Sequence, residues 1–497
     1  MTVGILSYGG YLPKARLDRG AIYAAHAWFN PGLRGLAKGE RALANWDEDV
    51  VTMAVEAVAA CLEGYEETAP AALYLASTSF PFRDRQNAGI VADALTLPRG
   101  LTTLDLGGSQ RAGSSALLSA LAAARGLGAP VLAAASEKRP AKPASTLEFT
   151  VGDGAAALLV GEGPVLAEYV GGLTHAVDFV DHFRGERDPF DYTWEERWVR
   201  DEGYLKLVPA AVTELLEGQG VAPAEIARFC FPAAMANVGK GVARAVGLPE
   251  TSVADNLVAT CGETGAAHPL VMLVHALETA APGDLILAVG FGQGVDALLF
   301  RATDAILDAR GRTGVAAHLA RGRADARYSR YLAINDLATM ERGIRAEVDK
   351  QTKLSTHYRT KSMTQGMIGG ACTRCGTKQF PKSRICVNPN CNAVDAQVDE
   401  PFSRKAATLN SWTRDQLTFS PDPPTYFGMV QFEGGGRLMS DLTDIAPGAE
   451  LEVGTPMKMV FRIKDHDALR DFRRYFWKAT PVEPAAGTPV PTAAAAE

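Results

Sequence analysis

The sequence lacks the features that would tie it to a membrane or to nucleic acid. It contains no uninterrupted apolar run of about 18 residues, the length that a membrane span requires, and its opening, MTVGILSYGGYLP, lacks the basic flank and apolar core of a signal peptide. Basic residues are in deficit, with 50 Lys and Arg against 57 Asp and Glu and a net charge of -7. Such a balance is unusual for proteins whose main ligand is nucleic acid. We therefore expect a cytoplasmic protein that binds small molecules, with neither a membrane nor a nucleic acid as partner.

Cysteine is scarce, and most of it lies in one short stretch, CTRCGTKQFPKSRICVNPNC. Of seven cysteines, three are isolated and four are clustered: Cys61, Cys230 and Cys261, and then Cys372, Cys375, Cys386 and Cys391. An odd total with one cluster indicates metal ligation in a reducing compartment better than a disulfide framework. The two knuckles, Cys-x2-Cys and Cys-x4-Cys, suit a tetrahedral zinc ion. Because four thiolates leave no open coordination position, we expect this zinc to be structural.

Up to about residue 300, short apolar runs alternate with amphipathic stretches. The runs 71–78, 129–136, 154–163 and 284–292 are typical of strands buried on both faces, and 47–64 is typical of a helix. This alternation predicts an α/β domain with a largely parallel sheet. The pattern of residues 1–165 recurs in 166–305, which suggests two similar halves.

The remaining third of the chain has a different composition. Residues 306–350 predict a linker with a helix over 328–350. Residues 351–398 hold the cysteine cluster, and 351–394 contain no Asp or Glu but seven Lys or Arg, which suggests a local anionic ligand. Alternating runs over 399–480 predict a small β-barrel. The Ala- and Pro-rich residues 481–497 predict a disordered tail.

A sharp turn follows the apolar run that contains Asp105. The stretch LTTLDLGGSQRAGSSALLSALAAARG, residues 101–126, predicts a strand, a glycine turn and an alanine-rich helix, which together present a side chain to substrate. The presented positions hold Ser109 and Gln110. Glutamine is not a nucleophile, and Ser109 would need a base beside it. The other reading is that Gln110 and the backbone N–H groups of the turn hold an oxyanion.

Four stretches of the first 300 residues resemble the thiolase superfamily, in particular its HMG-CoA synthase and type III ketoacyl synthase branch. They are LDLGGSQRAGSSALLSAL (104–121), STLEFTVGDGAAALLVG (145–161), CGETGAAHPLVML (261–273) and GDLILAVGFGQGVDALLF (283–300). The resemblance implies a five-layered αβαβα fold of two similar halves, a homodimer and a tunnel for coenzyme A, which would be substrate or acyl carrier. Residues 325–480 resemble the acyl-CoA-associated zinc-ribbon/OB-fold proteins (domain of unknown function 35). That second resemblance implies a zinc ribbon, an OB-fold and a thiolase partner.

The resemblance also implies a catalytic cysteine, histidine and asparagine, and this sequence keeps none of them. The family cysteine falls on Gln110, the asparagine on Glu263 and the histidine within 232–234, although no histidine lies between His182 and His268. Glu263 and His268 are therefore the candidates for acid and base, since a histidine near a carboxylate suits proton transfer. A packing histidine and a carboxylate placed at a helix N-terminus would explain the same two residues.

These substitutions disfavour an acyl-cysteine intermediate. We expect an acyl-CoA-dependent enzyme that makes or breaks a C–C bond next to a thioester, as an aldolase or a thiolase/HMG-CoA synthase-like acyltransferase. Its substrate would be an acyl-CoA or a small β-keto or β-hydroxy acid. The scaffold without its cysteine also resembles the steroid side-chain retro-aldolases. Two alternatives stay open: a non-catalytic thiolase-like scaffold that docks partner thiolases, and a decarboxylase with Gln110 in place of the cysteine.

Overall fold

The computed structural model describes residues 2–351 and 353–483. The chain divides into two compact units at residues 339 and 340, inside the segment 306–350 that was predicted to be a linker. Residues 484–497, most of the predicted tail, lie outside the described residues. Within the described part of the chain, no helix combines the length and apolar character needed to cross a membrane.

The first half of the first unit contributes five strands to a mixed sheet. Its elements are β1 (Val3–Tyr11), β2 (Ala15–Asp18), α1 (Arg19–His26), β3 (Glu40–Leu43), α2 (Val50–Cys61), β4 (Ala72–Ala76), α3 (Asn87–Ala94), β5 (Thr102–Leu106), α4 (Ala112–Leu127), β6 (Val131–Glu137), α5 (Thr146–Thr150) and β7 (Gly154–Glu162). The strand order is β5-β4-β6-β7-β1. Strand β4 runs parallel to β5 and β6, and β7 runs antiparallel to β6 and β1.

The second half repeats this arrangement. Its elements are β8 (Ala167–Ala176), β9 (His182–Phe183), β10 (Tyr192–Thr193), α6 (Glu196–Trp198), a π-helical stretch Val199–Leu207, α7 (Val208–Gln219), β11 (Ile226–Cys230), α8 (Val238–Val246), α9 (His268–Thr279), β12 (Leu285–Phe291), β13 (Gly294–Ala302), α10 (Val315–Ala320), β14 (Arg323–Asp325) and α11 (Tyr328–Ile334). The order β11-β12-β13-β8 matches β4-β6-β7-β1, with the same parallel and antiparallel pairs. A single bridge between Phe229 and Val253 stands where the first half has β5.

The two halves share one nine-stranded sheet and a central pair of helices. Strand β1 pairs with β8 through Gly4 and Ile5. Helices α4 and α9 pack between the halves, α2 covers the outer face of the first half, and α7 covers that of the second. Gly113 of α4 allows the close approach, because a Cβ there would lie 2.1 Å from the carbonyl oxygen of Ala266. The predicted five-layered αβαβα fold of two similar halves is therefore confirmed.

The predicted strand ends lie within two residues of the observed ones. The helix predicted over 328–350 begins at Tyr328 as expected, but its predicted end is wrong. Helix α11 ends at Ile334, and the Leu337 N–H then donates to the carbonyl of Leu332 at 2.9 Å. Asp336 adopts a left-handed conformation, φ 54°. Asn and Asp tolerate this conformation and close helices in this way, so the polar pair at 335–336 terminates the helix.

The second unit contains a helix, a small sheet and a closed barrel. Its elements are α12 (Leu354–Thr364), β15 (Ile368–Cys372), β16 (Lys378–Gln379), β17 (Gln397–Pro401), β18 (Ala407–Asp415), β19 (Thr425–Phe432), β20 (Arg437–Leu442), β21 (Pro456–Asp467) and β22 (Phe472–Pro481). Strand β15 lies between β16 and β17, and the barrel closes in the order β18-β19-β20-β22-β21. Phe461, Phe432 and Trp477 are buried. A five-stranded closed barrel of this size is the OB-type architecture that the sequence led us to expect.

Candidate active site and metal centre

The turn between β5 and α4 faces a cavity of about 530 Å³ in the first unit. Gln110 lines this cavity. Its amide Nε2 donates to the Thr78 hydroxyl at 3.2 Å, and its Oε1 is buried with no hydrogen-bond partner in the described residues. Within those residues the Gln110 backbone N–H also has no acceptor. The turn therefore presents the amide side chain of Gln110 to the cavity and no nucleophile.

Ser109 is not placed to act as a nucleophile in this cavity. Its hydroxyl donates to the carbonyl of Gly292 at 2.7 Å and accepts the Arg111 N–H at 3.2 Å. Ser109 is not among the residues that line the cavity. These contacts tie the turn to the loop between β12 and β13, and they do not bring a base to the hydroxyl.

Glu263 lines the cavity as part of a charge network that the sequence did not reveal. Its Oε2 accepts from Arg139 Nη1 at 2.8 Å, and Arg139 also pairs with Asp191 at 2.8 Å. Arg184 donates to the other oxygen of Asp191 at 2.9 Å. Burial opposes the charge on Arg139, but the carboxylates of Glu263 and Asp191 outweigh it and raise the Arg139 pKa. Burial acts against the Asp191 carboxylate too, and Arg139 and Arg184 nevertheless lower its pKa.

A second buried carboxylate, Glu137, positions the loops around Gln110. It is fully buried at the end of β6. It accepts from the Ser77 hydroxyl at 3.1 Å, from the Thr78 backbone N–H at 3.0 Å and from the Ala266 N–H at 3.3 Å. Glu137 thus holds Thr78, the partner of Gln110, and the loop after Glu263 in one arrangement.

His268 is fully buried, and both of its ring nitrogens are occupied. The Thr264 backbone N–H donates to Nδ1 at 3.0 Å, so Nε2 carries the proton and donates to the Asn256 carbonyl at 2.8 Å. Burial lowers its pKa, which keeps the ring neutral. His268 is not among the cavity-lining residues. These contacts favour a structural role, in which His268 holds the loop that carries Glu263.

His182 is the histidine that lines the cavity in the described part of the chain. Its Nδ1 lies 3.0 Å from Asp181 Oδ2, and its side chain is 15% exposed. The two residues lie at the start of the hairpin β9–β10, beside the aromatic wall formed by Trp194 and Tyr204. Sequence reasoning considered only the absence of histidines after His182. The signal that could have found it was the adjacent pair Asp181 and His182, a short distance along the chain before Tyr192 and Trp194.

The three isolated cysteines do not contribute to the cavity. Cys61, Cys230 and Cys261 are buried, and burial raises the pKa of each to about 12. None of them is among the cavity-lining residues. A thiol with so high a pKa is almost entirely protonated at neutral pH and is a poor nucleophile.

The four clustered cysteines of the second unit converge on one point. Their sulfur atoms all lie within 4.8 Å of one another, with Cys372 and Cys391 at 3.9 Å and Cys375 and Cys386 at 3.6 Å. Four ligands at the Zn–S distance of about 2.3 Å in a tetrahedron would be separated by about 3.8 Å. The described residues therefore form a site with the size and the donor set that a zinc ion takes.

The basic segment around these cysteines finds its counter-charges within the same unit. Three of its cations form ion pairs with acidic residues that follow it directly: Lys378 with Glu400 at 2.8 Å, Lys382 with Asp399 at 2.6 Å and Arg384 with Asp395 at 2.6 Å. These pairs weaken the case for an anionic ligand that was drawn from the run of like charge.

Comparison with known proteins supports this architecture. Residues 216–301 match the family described as 3-oxoacyl-[acyl-carrier-protein] synthase III C terminal, and residues 400–462 match the C-terminal OB-fold domain of ChsH2. A crystal structure of HMG-CoA synthase complexed with CoA covers 71% of this chain and 95% of its own at 17% identity, with a TM-score of 0.61. At that identity the likeness concerns the fold. The fold and the matched families together define a thiolase-superfamily protein with an appended OB-fold domain.

Curated relatives give the family. The hydroxymethylglutaryl-CoA synthase of Caldivirga maquilingensis is 30% identical over 307 residues, which cover 60% of this chain and 87% of the relative. That of Pyrobaculum arsenaticum is 29% identical over 324 residues, which cover 63% of this chain and 92% of the relative. The chain belongs to the hydroxymethylglutaryl-CoA synthase family, a family of acyltransferases.

Proposed function

We propose that this protein makes or breaks a C–C bond next to a coenzyme A thioester, on a β-hydroxyacyl or β-ketoacyl substrate, without an acyl-enzyme intermediate. One observation carries the proposal: the turn that presents a cysteine in the family presents Gln110 to a cavity that holds carboxylates, cations and one histidine. The relatives named above support a CoA thioester as the substrate class. The missing thiol supports acid–base chemistry in place of acyl transfer to cysteine.

His182 is the proposed general base. With its Nδ1–H donating to the Asp181 carboxylate, Nε2 keeps a lone pair available to accept a proton. An adjacent carboxylate holds the ring in this tautomer and stabilises the imidazolium that forms. Glu263, neutralised by Arg139, is the proposed polar contact for the acyl chain. His268 holds the loop and takes no proton in this scheme.

We propose the following reaction with a β-hydroxyacyl-CoA. His182 removes the proton of the β-hydroxyl, the Cα–Cβ bond breaks, and the hydroxyl carbon becomes the carbonyl of the departing aldehyde or ketone. The electron pair of the broken bond moves into the thioester and forms an enolate. The Gln110 backbone N–H and the second N–H of its side-chain Nε2, the one not donated to Thr78, stabilise the enolate oxygen. Protonation of Cα by the imidazolium then gives the shortened acyl-CoA, and the reverse sequence forms the bond.

A turnover assay with two histidine variants tests this function. The purified protein is incubated with β-hydroxyacyl-CoA, β-ketoacyl-CoA and free β-keto acids plus CoA, and products and modified peptides are followed by mass spectrometry. We expect aldehyde or acyl-CoA release without a covalent adduct. His182→Gln should lower turnover by about 10²- to 10⁴-fold, the usual contribution of a general base.

His175→Gln is the matched control, because His175 also pairs with a carboxylate, Glu214, at 2.8 Å but does not line the cavity. Its turnover should equal that of the wild type. Unchanged turnover in His182→Gln would contradict the assigned base, and an acyl adduct on Ser109 or Cys261 would contradict the absence of a covalent intermediate. Carbon dioxide release alone would favour the decarboxylase, in which the Gln110 amide binds the thioester oxygen. If none of these substrates gives a product, the result would favour the non-catalytic scaffold.

The remaining assignments belong to the same proposal. The converging sulfur atoms of Cys372, Cys375, Cys386 and Cys391 support a structural zinc ion. Such an ion would hold the two knuckles together and leave no coordination position for substrate. The homodimer, the thiolase partner and the cytoplasmic location stay predictions, the first two from the family resemblance and the last from composition.

A further inference from the structure

Arg19, the first residue of α1, is a buried cation on the cavity wall. It is 5% exposed and is one of the cavity-lining residues. One guanidinium nitrogen donates to the carbonyl of Val258, whereas Nε is buried and finds no acceptor among the described residues. No ion pair in the described ranges includes Arg19. Burial, with the nearby Arg41 charge adding to it, lowers the Arg19 pKa to about 10, so the group stays charged at neutral pH.

The neighbouring carboxylates form hydrogen bonds or ion pairs with groups other than Arg19. Asp18, the adjacent residue, caps α1 by accepting the Gly20 N–H at 2.7 Å. Glu263 and Asp191 pair with Arg139, and Asp181 lies 3.0 Å from Nδ1 of His182. In the part of the chain that the structure describes, the cavity is therefore lined by one arginine with two ion pairs, Arg139, and one with none, Arg19. An unpaired buried charge is costly, and a ligand that supplies the opposite charge relieves that cost.

Backbone contacts place Arg19 on the same wall as Glu263. The Arg19 N–H donates to the carbonyl of Gly39 at 3.1 Å. Strand β3, which begins at the next residue, is hydrogen-bonded to residues 259–261. The Glu40 N–H donates to the Ala259 carbonyl at 2.9 Å and the Ala42 N–H to that of Cys261 at 2.7 Å. This segment continues directly into Glu263. A substrate that fills the cavity thus extends from the proposed reaction centre toward the guanidinium.

We propose that Arg19 binds a carboxylate carried by the acyl chain of the substrate, at the end away from the thioester. The proposal rests on the proposed function, since it assumes that an acyl-CoA occupies this cavity. A guanidinium presents parallel N–H donors that match the two oxygens of a carboxylate. A CoA phosphate has the same anionic chemistry. Its strong hydration suits the exposed Lys38, which lines the same cavity, better than a nearly buried site.

Binding of matched thioester pairs tests the proposal. Succinyl-, adipyl- and suberyl-CoA are compared with butyryl-, hexanoyl- and octanoyl-CoA, which have the same carbon numbers and no second carboxylate, by calorimetry. The wild type should bind at least one dicarboxylic thioester about 10- to 100-fold more tightly than its partner, the range of a charge-assisted hydrogen bond. Arg19→Met should abolish this preference and leave the neutral thioesters unaffected, while Lys38→Met should keep it.

Several outcomes would overturn the proposal. One is that no dicarboxylic thioester is preferred by the wild type, and another is that Arg19→Met weakens both members of each pair equally. A third is that Arg19→Met loses discrimination between CoA and dephospho-CoA instead, which would assign Arg19 to the phosphate. If Arg19→Met does not fold, Arg19→Lys replaces it, with the preference expected to fall about tenfold because a single ammonium cannot form the paired contact.

Free adipate separates this proposal from the proposed function. If no thioester binds but adipate raises the melting temperature of the wild type and not of Arg19→Lys, the carboxylate site stands and the CoA thioester chemistry fails. If thioesters bind while adipate leaves the melting temperature unchanged and no dicarboxylic thioester is preferred, only the carboxylate site is refuted, and the proposed function stands.

Discussion

Glu278 gives a prediction whose size follows from its surroundings. It lies near the C-terminal end of α9, and its two carboxylate oxygens accept the Ala316 N–H at the start of α10, at 3.2 and 3.0 Å. Burial raises the pKa of this carboxyl from 4.5 to about 7, although the backbone N–H groups of Ala316 and Val315 act in the opposite direction. Folding therefore favours the protonated form of Glu278.

The sign and the magnitude follow from proton binding. Between pH 4.5 and about 7 the folded protein holds a proton that the unfolded chain has lost. The free energy of unfolding must therefore fall as the pH rises through this window. At about 1.4 kcal/mol for each pKa unit, the rise from 4.5 to about 7 sets an upper limit of about 3 kcal/mol, which solvent screening of this partly exposed carboxyl reduces. Glu278→Gln removes the titration and keeps one acceptor oxygen, so its stability relative to the wild type should grow by up to about 3 kcal/mol between pH 4.5 and pH 8.

Urea unfolding of both proteins at pH 5 and pH 8 measures this difference. Glu278→Gln should match the wild type at pH 5 within about 1 kcal/mol and exceed it clearly at pH 8. Glu217→Gln, at an exposed position on α7, is the control and should show no such dependence. A Glu278→Gln variant whose stability relative to the wild type is the same at both pH values would refute the reasoning.

Three further predictions concern packing, thiols and metal. Gly113→Ala should destabilise the protein by about 2 kcal/mol or more, because its Cβ would lie 2.1 Å from the Ala266 carbonyl oxygen. Gly126→Ala on the same helix meets no atom within 4 Å and should stabilise it by up to about 1 kcal/mol, both measured by urea unfolding. Iodoacetamide at pH 8 should leave Cys261 unmodified in peptide mass spectra, since its pKa of about 12 leaves hardly any thiolate. Cys386→Ser should lower bound zinc, measured by plasma mass spectrometry, from about one ion per chain to a small fraction.

The sequence predicted the fold well where local pattern and tertiary burial agree. Strand β6 was expected over 129–136 and occupies Val131–Glu137, because an apolar run bounded by a proline fits a strand buried on both faces. The helix expected over 328–350 failed because its charged periodicity continues beyond Asn335 and Asp336, where the backbone closes the helix. A hydrophobic pattern reports which face can be buried, and it carries little information on where a polar pair reverses the chain.

The candidate site was only partly visible in the sequence. The cysteine cluster could be predicted because its ligands lie close together along the chain. Gln110 and Glu263 were found through the family motifs, and both line the cavity. His182 and Arg139 were missed because neither lies in the four stretches that carry the family resemblance. Arg139 meets Glu263 only in the folded protein, across 124 residues of chain. The contacts of His268 were also beyond reach, since its acceptor is a backbone carbonyl twelve residues earlier in the chain.

The position of β1 has a consequence for the order of assembly. This strand is made first, yet its neighbours in the sheet are β7, which ends at Glu162, and β8, which begins at Ala167. During synthesis about 150 further residues must therefore be made before β1 can pair with β7. The same strand then offers its free edge to β8 as soon as that strand emerges. Pairing of β1 with β7, which completes the sheet of the first half, and pairing of β1 with β8, which joins the second half to it, therefore become possible at nearly the same point of synthesis. A chain that ended between β7 and β8 would leave one edge of β1 unpaired and prone to aggregation.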